Sequence, residues 1–165
     1  MNAPDSPEGD AALRSLVIDL DDMAFALTWR DDSQRSSHWL NLDTGEVIFI
    51  ADPGDLDSIT EDPREDERFV RIDPIDSSQS FCIMEDFVEQ LADTALARHL
   101  AGALEQRKPF RRFRDELAGH PAQREAWFAF EHAALERLAQ RWCTGRGVAP
   151  RWTSRRRRAV PDGEA

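Results

Sequence analysis

Apolar residues recur along this chain with two different periods, and the change between them separates a strand-bearing first half from a helical second half. Leu20, Met23, Ala24 and Leu27 follow the spacing of one helical face, and Asp19 stands where a side-chain oxygen caps the first free amides. A polar loop over 31–37 comes next. His38–Leu42 and Glu46–Ala51 read as two strands joined at Asp43, Thr44 and Gly45, and Phe69–Ile72 reads as a third, closed by Asp73 and Pro74. Between them, 52–68 holds two prolines, one glycine and a dense set of acids. So little apolar area does not offset the entropy of ordering, which predicts a mobile acidic loop.

No strand is expected after Pro74. Ile83, Met84, Phe87, Val88 and Leu91 form one helical stripe, and Leu96, Leu100 and Leu104 form the next, behind a cap at Asp93 or Thr94. Pro109 suits the first position of another helix, in which Phe110, Phe113 and Leu117 share a face while Arg111, Arg112 and Arg114 point away. Gly119 ends it. Pro121 opens a last helix carrying Trp127, Phe128, Leu135, Leu138 and Trp142, which Gly145 and Gly147 terminate. The reading is an α+β fold in which about three antiparallel strands pack against about five helices. Residues 1–14 are expected to be a flexible tail, 15–145 one compact domain, and 146–165 a disordered basic tail without apolar period. Trp39, Phe87, Phe113 and Trp127 are expected to meet in one core.

A chain of 165 residues with 41% hydrophobic content can bury such a core. Charge changes the picture more than length does. The net charge of −11 divides unevenly: residues 1–93 carry 24 acids and 6 bases, residues 94–165 carry 8 acids and 15 bases, or −18 against +7. The simpler meaning is two layers that attract one another within the fold; the other is two faces for different partners. The acidic start lacks the pattern of a secretory signal, and no apolar run approaches the roughly 20 residues that cross a bilayer. Cys82 and Cys143 fit reduced, buried thiols better than a disulfide framework, which suggests the cytoplasm.

Three blocks together resemble the bacterial family called uncharacterised protein family 0158 of the UPF series. They are the hairpin Trp39-Leu40-Asn41-Leu42-Asp43-Thr44-Gly45-Glu46-Val47-Ile48, the helix Met84-Glu85-Asp86-Phe87-Val88, and Phe110-Arg111-Arg112-Phe113-Arg114-Asp115 with the following Trp127 helix. The resemblance spans about 16–143, and its third block is the most specific. A hairpin tyrosine expected of the family is replaced by Trp39. The resemblance implies a small α+β fold and carries no activity and no catalytic residues.

The residues themselves offer several candidate sites, each with a plainer reading. Asp43-Thr44-Gly45 is the tripeptide with which aspartic proteases pair two carboxylates, but Glu46 follows it and a tight turn demands the glycine, so a turn is the reading. Asp52, Asp55 and Asp57 lack the later glycine and glutamate of a calcium loop. His132 and Glu136 lie one helical turn apart beside Glu131, yet no third or fourth ligand falls into a metal pattern with them, and an exposed ion pair is expected. Glu85, Asp86 and Glu89 are read as acids at the start of a helix, complementing its dipole. Neither cysteine has a nearby histidine or a CxxC partner. No cofactor or metal is implied, and an enzyme, such as a metal-dependent hydrolase with a site between hairpin and helices, is the second choice behind a non-enzymatic binding or regulatory module.

Two basic clusters remain. Arg155, Arg156, Arg157 and Arg158, with Arg146, Arg151 and Trp152 nearby, invite a nucleic-acid reading through phosphates, against a solubilising tail. Arg111, Arg112 and Arg114 crowd the first turns of a helix, where cations oppose the dipole at about 0.3–1 kcal/mol each. They call for an anion: either the acids of 52–67 or an acidic partner outside the chain.

Overall fold

Ile18 ends one element and Leu20 begins another, with Asp19 serving both. The computed structural model describes residues 12–51 and 62–154. Strand β1 (Arg14–Asp19) buries Leu16 and Ile18 on alternate positions. Asp19 then turns its carboxylate onto the amides of Asp21 and Asp22, at 2.9 and 3.1 Å, and starts helix α1 (Leu20–Thr28). The hairpin follows as β2 (Ser37–Asn41) and β3 (Val47–Ile50), and β4 (Phe69–Ile72) pairs with the other edge of β2. Both pairings are antiparallel, in the order β3-β2-β4.

The helices are α2 (Ser77–Gln90), α3 (Thr94–Leu104), α4 (Pro109–Ala118) and α5 (Pro121–Thr144). Asp76 and Gln79 form a reciprocal capping box on α2, and Asp93 caps α3. Because α2 begins at Ser77, Glu85, Asp86 and Glu89 lie in its later turns, exposed, and not at the dipole's positive end as their sequence neighbourhood suggested.

The chain does not leave the fold at residue 146. Val148–Thr153 is a fifth strand, β5, parallel to β1 from Arg14↔Val148 to Asp19↔Thr153. The described residues from 146 to 154 are thus not a disordered tail, and Trp152 packs against the core. Arg14 likewise belongs to the fold, its amide donating to Gly147 O at 2.8 Å. Most of the expected N-terminal tail, the part of the acidic loop over 52–61 and Arg155–Arg158 lie outside the described residues. The described end of that loop is ordered locally: Pro63 is buried, Arg64 pairs with Asp62 at 2.8 Å and Arg68 with Asp66 at 2.6 Å.

The aspartic-protease tripeptide is a turn. Asn41 Oδ1 accepts from the amides of Asp43 and Thr44 at 2.9 and 3.2 Å, and Asp43 sits exposed, 3.4 Å from Arg14. Gly45 has φ +79°, and a Cβ there would lie 2.2 Å from the carbonyl oxygen of Val17. Only glycine lets this turn approach β1 so closely.

Phe87, Phe113 and Trp127 do meet in one core, with ring centroids 4.9–6.3 Å apart and steep interplanar angles. Trp39 does not join them. In β2 the buried positions are His38 and Leu40, so the strand's alternation puts Trp39 on the opposite face, where Nε1 donates to Ser37 Oγ at 2.8 Å. Among the described residues no helix is long and apolar enough to cross a membrane.

Candidate functional site

Pro109 starts α4 because its fixed φ suits the first helical position, where its missing amide has no partner to lose. Helical spacing then sends the three arginines of this helix in different directions. Arg111 lies 3.8 Å from Asp115, both side chains largely exposed. Arg112 donates Nε to the Arg107 carbonyl at 3.0 Å and lines a recess shared with His99 of α3. Arg114, one turn after Phe110, faces a cleft between α1, α2, α4 and α5. The expected three-arginine site is thus three separate environments. In the described part of the acidic loop, Asp62 pairs with Arg64 and Asp66 with Arg68, each two positions away.

The cleft encloses about 330 Å³. Ile75, Ile83, Met84, Phe110 and Leu135 supply apolar walls, and Thr28, Ser80, Arg30, Arg114 and Glu131 supply polar groups. Arg30, just past the end of α1, is fixed in place: Nη2 donates to Ile75 O at 3.1 Å and Nη1 to Ser77 Oγ at 3.0 Å. Arg114 is exposed and makes no hydrogen bond or ion pair among the described residues. The cleft therefore offers one guanidinium held by the scaffold and one that is open.

Beyond Arg114 and Glu131 a second groove runs between α1 and α5, about 540 Å³, with Ala24, Phe25, Phe128 and Leu135 along it. Its end is organised by Asp21. His132 Nε2 lies 3.2 Å from Asp21 Oδ1, and Ser154 Oγ donates to Asp21 Oδ2 at 3.0 Å. His132 thus meets α1 across the groove, where a pair with Glu136 on its own helix was expected. Here the carboxylate stands between hydroxyl and imidazole. The imidazole is not on the hydroxyl, so the set lacks the nucleophile-to-base contact that activates a serine.

The region between hairpin and helices, where an enzyme site was the second choice, holds an aromatic cluster. His38 is buried against Phe25, Trp29 and Phe49, with ring centroids 5.6, 6.0 and 4.8 Å away. Burial lowers its pKa and favours the neutral ring. Nearby, the hydroxyl of Ser33, then that of Ser36, holds the Asp31 carboxyl well below the usual carboxylate range. Among the described residues no group of three His, Cys, Asp or Glu side chains is placed to hold a metal.

The thiols differ. Burial pushes Cys143 up to about 11, so it stays protonated and unreactive, whereas Cys82 is exposed, contrary to the expectation of two buried thiols. Of the basic residues near the C-terminal cluster, Arg146 lies over the Trp142 ring at 3.9 Å and Arg151 belongs to β5. Arg155, Arg156, Arg157 and Arg158 lie outside the described residues.

Arg30, Asp21 and Ser154 were not singled out from the sequence. Ser154 and Asp21 are 133 positions apart and Arg30 and Ile75 are 45 apart, so no local pattern marks them.

The chain matches the model of Uncharacterised protein family UPF0158 over residues 13–150. It is 33% identical over 142 residues to a UPF0158 protein of Pseudomonas aeruginosa, an alignment covering 84% of this chain and 88% of that protein. No solved structure matches it. The matched span takes in the hairpin, all five described helices and the Arg114 cleft, and the chain belongs to the UPF0158 family.

Proposed function

We propose that this protein is a non-enzymatic binding module whose cleft between α1, α2, α4 and α5 receives an acidic, partly apolar segment of a partner. The observation that carries this reading is Arg114, exposed at the cleft and without an ion pair among the described residues, beside the apolar wall of Ile83, Met84, Phe110 and Leu135. Arg30 supports it. Its guanidinium is already positioned by Ile75 O and Ser77 Oγ, so a carboxylate that binds there meets a preorganised donor. Two free thiols, one of them exposed, suit a reducing compartment, and we place the protein in the cytoplasm.

A labelled peptide of alternating Glu and Leu, titrated by fluorescence anisotropy, tests the reading. Arg114→Glu is expected to weaken binding by about tenfold or more, since a charge-assisted hydrogen bond contributes about 1.5–3 kcal/mol. Arg111→Glu, on the solvent side of the same helix, serves as the control and should bind as wild type. Both variants should melt as wild type, because neither side chain is buried. Equal affinity of Arg114→Glu and wild type would remove the cleft from consideration.

A further inference from the structure

We propose that the recess between α3 and α4 binds one nucleotide unit of a single-stranded nucleic acid, its phosphate at Arg98 and Arg112 and its base towards Asp115 and Glu116. The recess shares no lining residue with the Arg114 cleft, so the inference stands apart from the partner-binding role of that cleft.

Charge leads there first. Residues 98–112 hold five cations, Arg98, Arg107, Lys108, Arg111 and Arg112, against one acid, Glu105, within a chain of net charge −11. All five are exposed. Arg98 of α3 and Arg112 of α4 line the recess, and each is steadied by backbone: Arg98 Nε donates to Thr94 O at 3.3 Å and Arg112 Nε to Arg107 O at 3.0 Å. Their terminal Nη groups make no hydrogen bond or ion pair among the described residues, which leaves two oriented forks for an anion. His99 and Gln106 supply further donors beside them. The acids elsewhere in the chain do not cancel this locally, because at physiological salt exposed charges more than about 8 Å apart are largely screened.

The acids of the recess decide the class of anion. Asp115 and Glu116 line it together with the arginines, and they disfavour an acidic protein segment, whose neighbouring carboxylates they would repel. A nucleotide meets both signs: its phosphate takes the guanidinium groups, and exocyclic amino groups of its base donate to carboxylates. A free phosphate would use the recess alone. Arg107 and Lys108 follow Gln106 along the chain, with exposed side chains that make no hydrogen bond or ion pair among the described residues, and they carry the positive track past a single phosphate. Bases stacked in a duplex cannot turn into a recess, so the strand is single. Size agrees, since about 330 Å³ lies at the lower end of the range for small-molecule sites, about 300–1,000 Å³. Gly102 adds independent support. It lines the recess from inside α3, and a Cβ there would meet nothing within 4 Å, so packing does not call for glycine, although glycine destabilises a helix interior relative to alanine. What it preserves is the open floor of the recess.

The full chain is titrated into an end-labelled single-stranded RNA of mixed sequence, about 12 nucleotides long, and fluorescence anisotropy is read between about 50 and about 200 mM NaCl. The double variant Arg98→Gln, Arg112→Gln should bind about tenfold or more weakly at the lower salt, and its salt slope should be shallower by about 1.4, because each phosphate contact on a single strand contributes about 0.7. Both arginines are exposed, so this variant should melt as wild type. Gly102→Leu fills the recess without changing a charge. It should bind about fivefold or more weakly while melting at or above the wild-type temperature, an outcome that loss of fold cannot produce. Arg155–Arg158 are present in all three proteins, so their contribution cancels in the comparison. RNA binding by the double variant or by Gly102→Leu as tight as by wild type would overturn the proposal. Competition separates the sources. Unlabelled single strand should displace the probe, whereas equal displacement by a blunt duplex, by poly-glutamate or by inorganic phosphate would give the recess to a duplex, an acidic protein or a free phosphate compound instead.

Discussion

Two aromatic clusters of similar composition sit in this molecule and do different work. Phe87, Phe113, Trp127 and Phe130 join α2, α4 and α5; Phe25, Trp29, His38 and Phe49 join α1 to the hairpin. The ring separations are alike, 4.9–6.5 Å in the first and 4.8–6.0 Å in the second. Exposure is not. Phe113 and Trp127 are 0% and 5% exposed, Phe25 and Phe49 53% and 46%. Ring geometry alone is therefore a poor guide to energetics. The first cluster removes whole side chains from water and closes the helical core, whereas the second leaves half of two rings wet and shelters one imidazole.

The sharpest way to break that comparison is Phe113→Ala. Truncating a fully buried ring should cost about 3–5 kcal/mol, a large share of the 5–15 kcal/mol that holds a domain together, and little folded protein should remain. Chemical denaturation that finds less than about 1 kcal/mol would place Phe113 outside the core. Phe25→Ala or Phe49→Ala should cost roughly 1 kcal/mol, since half the ring is already exposed and the ring contacts contribute about 0.5–1.5 kcal/mol. A loss from either as large as that from Phe113→Ala would make the two clusters energetic equals.

The smallest effect is a pH dependence confined to the second cluster. Burial holds the folded pKa of His38 below the ordinary 6.5, so below that value the unfolded chain binds the proton more readily than the folded one. The favourable difference is fully present above the unfolded pKa and is lost as pH falls through 6.5 towards the depressed folded value. Melting temperatures from about pH 8 to about pH 5 should therefore decline more in wild type than in His38→Gln, and parallel curves would show that the imidazole titrates freely.

How legible this fold was depends on how far apart the cooperating residues lie. Asp19 and Asp93 each cap a helix through amides two or three positions away, and the stripes of α2 to α5 repeat within a turn, so local spacing places them, whereas the cap at Asp76 lies about two turns before the α2 stripe and the spacing did not mark it. The hairpin was equally readable. Asn41, Asp43, Thr44 and Gly45 bond among themselves, and the turn needs no distant partner to form. The family, too, could be read from three short blocks.

Only the tertiary structure decided the rest. Strands β1 and β5 are parallel partners 134 positions apart, and a sequence such as Val148-Ala149-Pro150-Arg151, with a proline that lacks an amide, signals no strand until β1 lies beside it. The phase of β2 was misread for a related reason: Trp39 was expected in the core, but Ser37 and Asn41 share its face while His38 and Leu40 face inward, and which face is buried depends on what packs there. The three arginines of α4 are nearly consecutive, yet helical geometry and neighbouring helices give each a different surrounding, and Arg114 lines a cleft together with Arg30 and Glu131. Spacing along the chain determines the helical stripes and the hairpin of this protein because capping and periodicity act over a few residues. Its candidate site is decided by packing, because each polar group there takes its meaning from side chains that other elements bring to it.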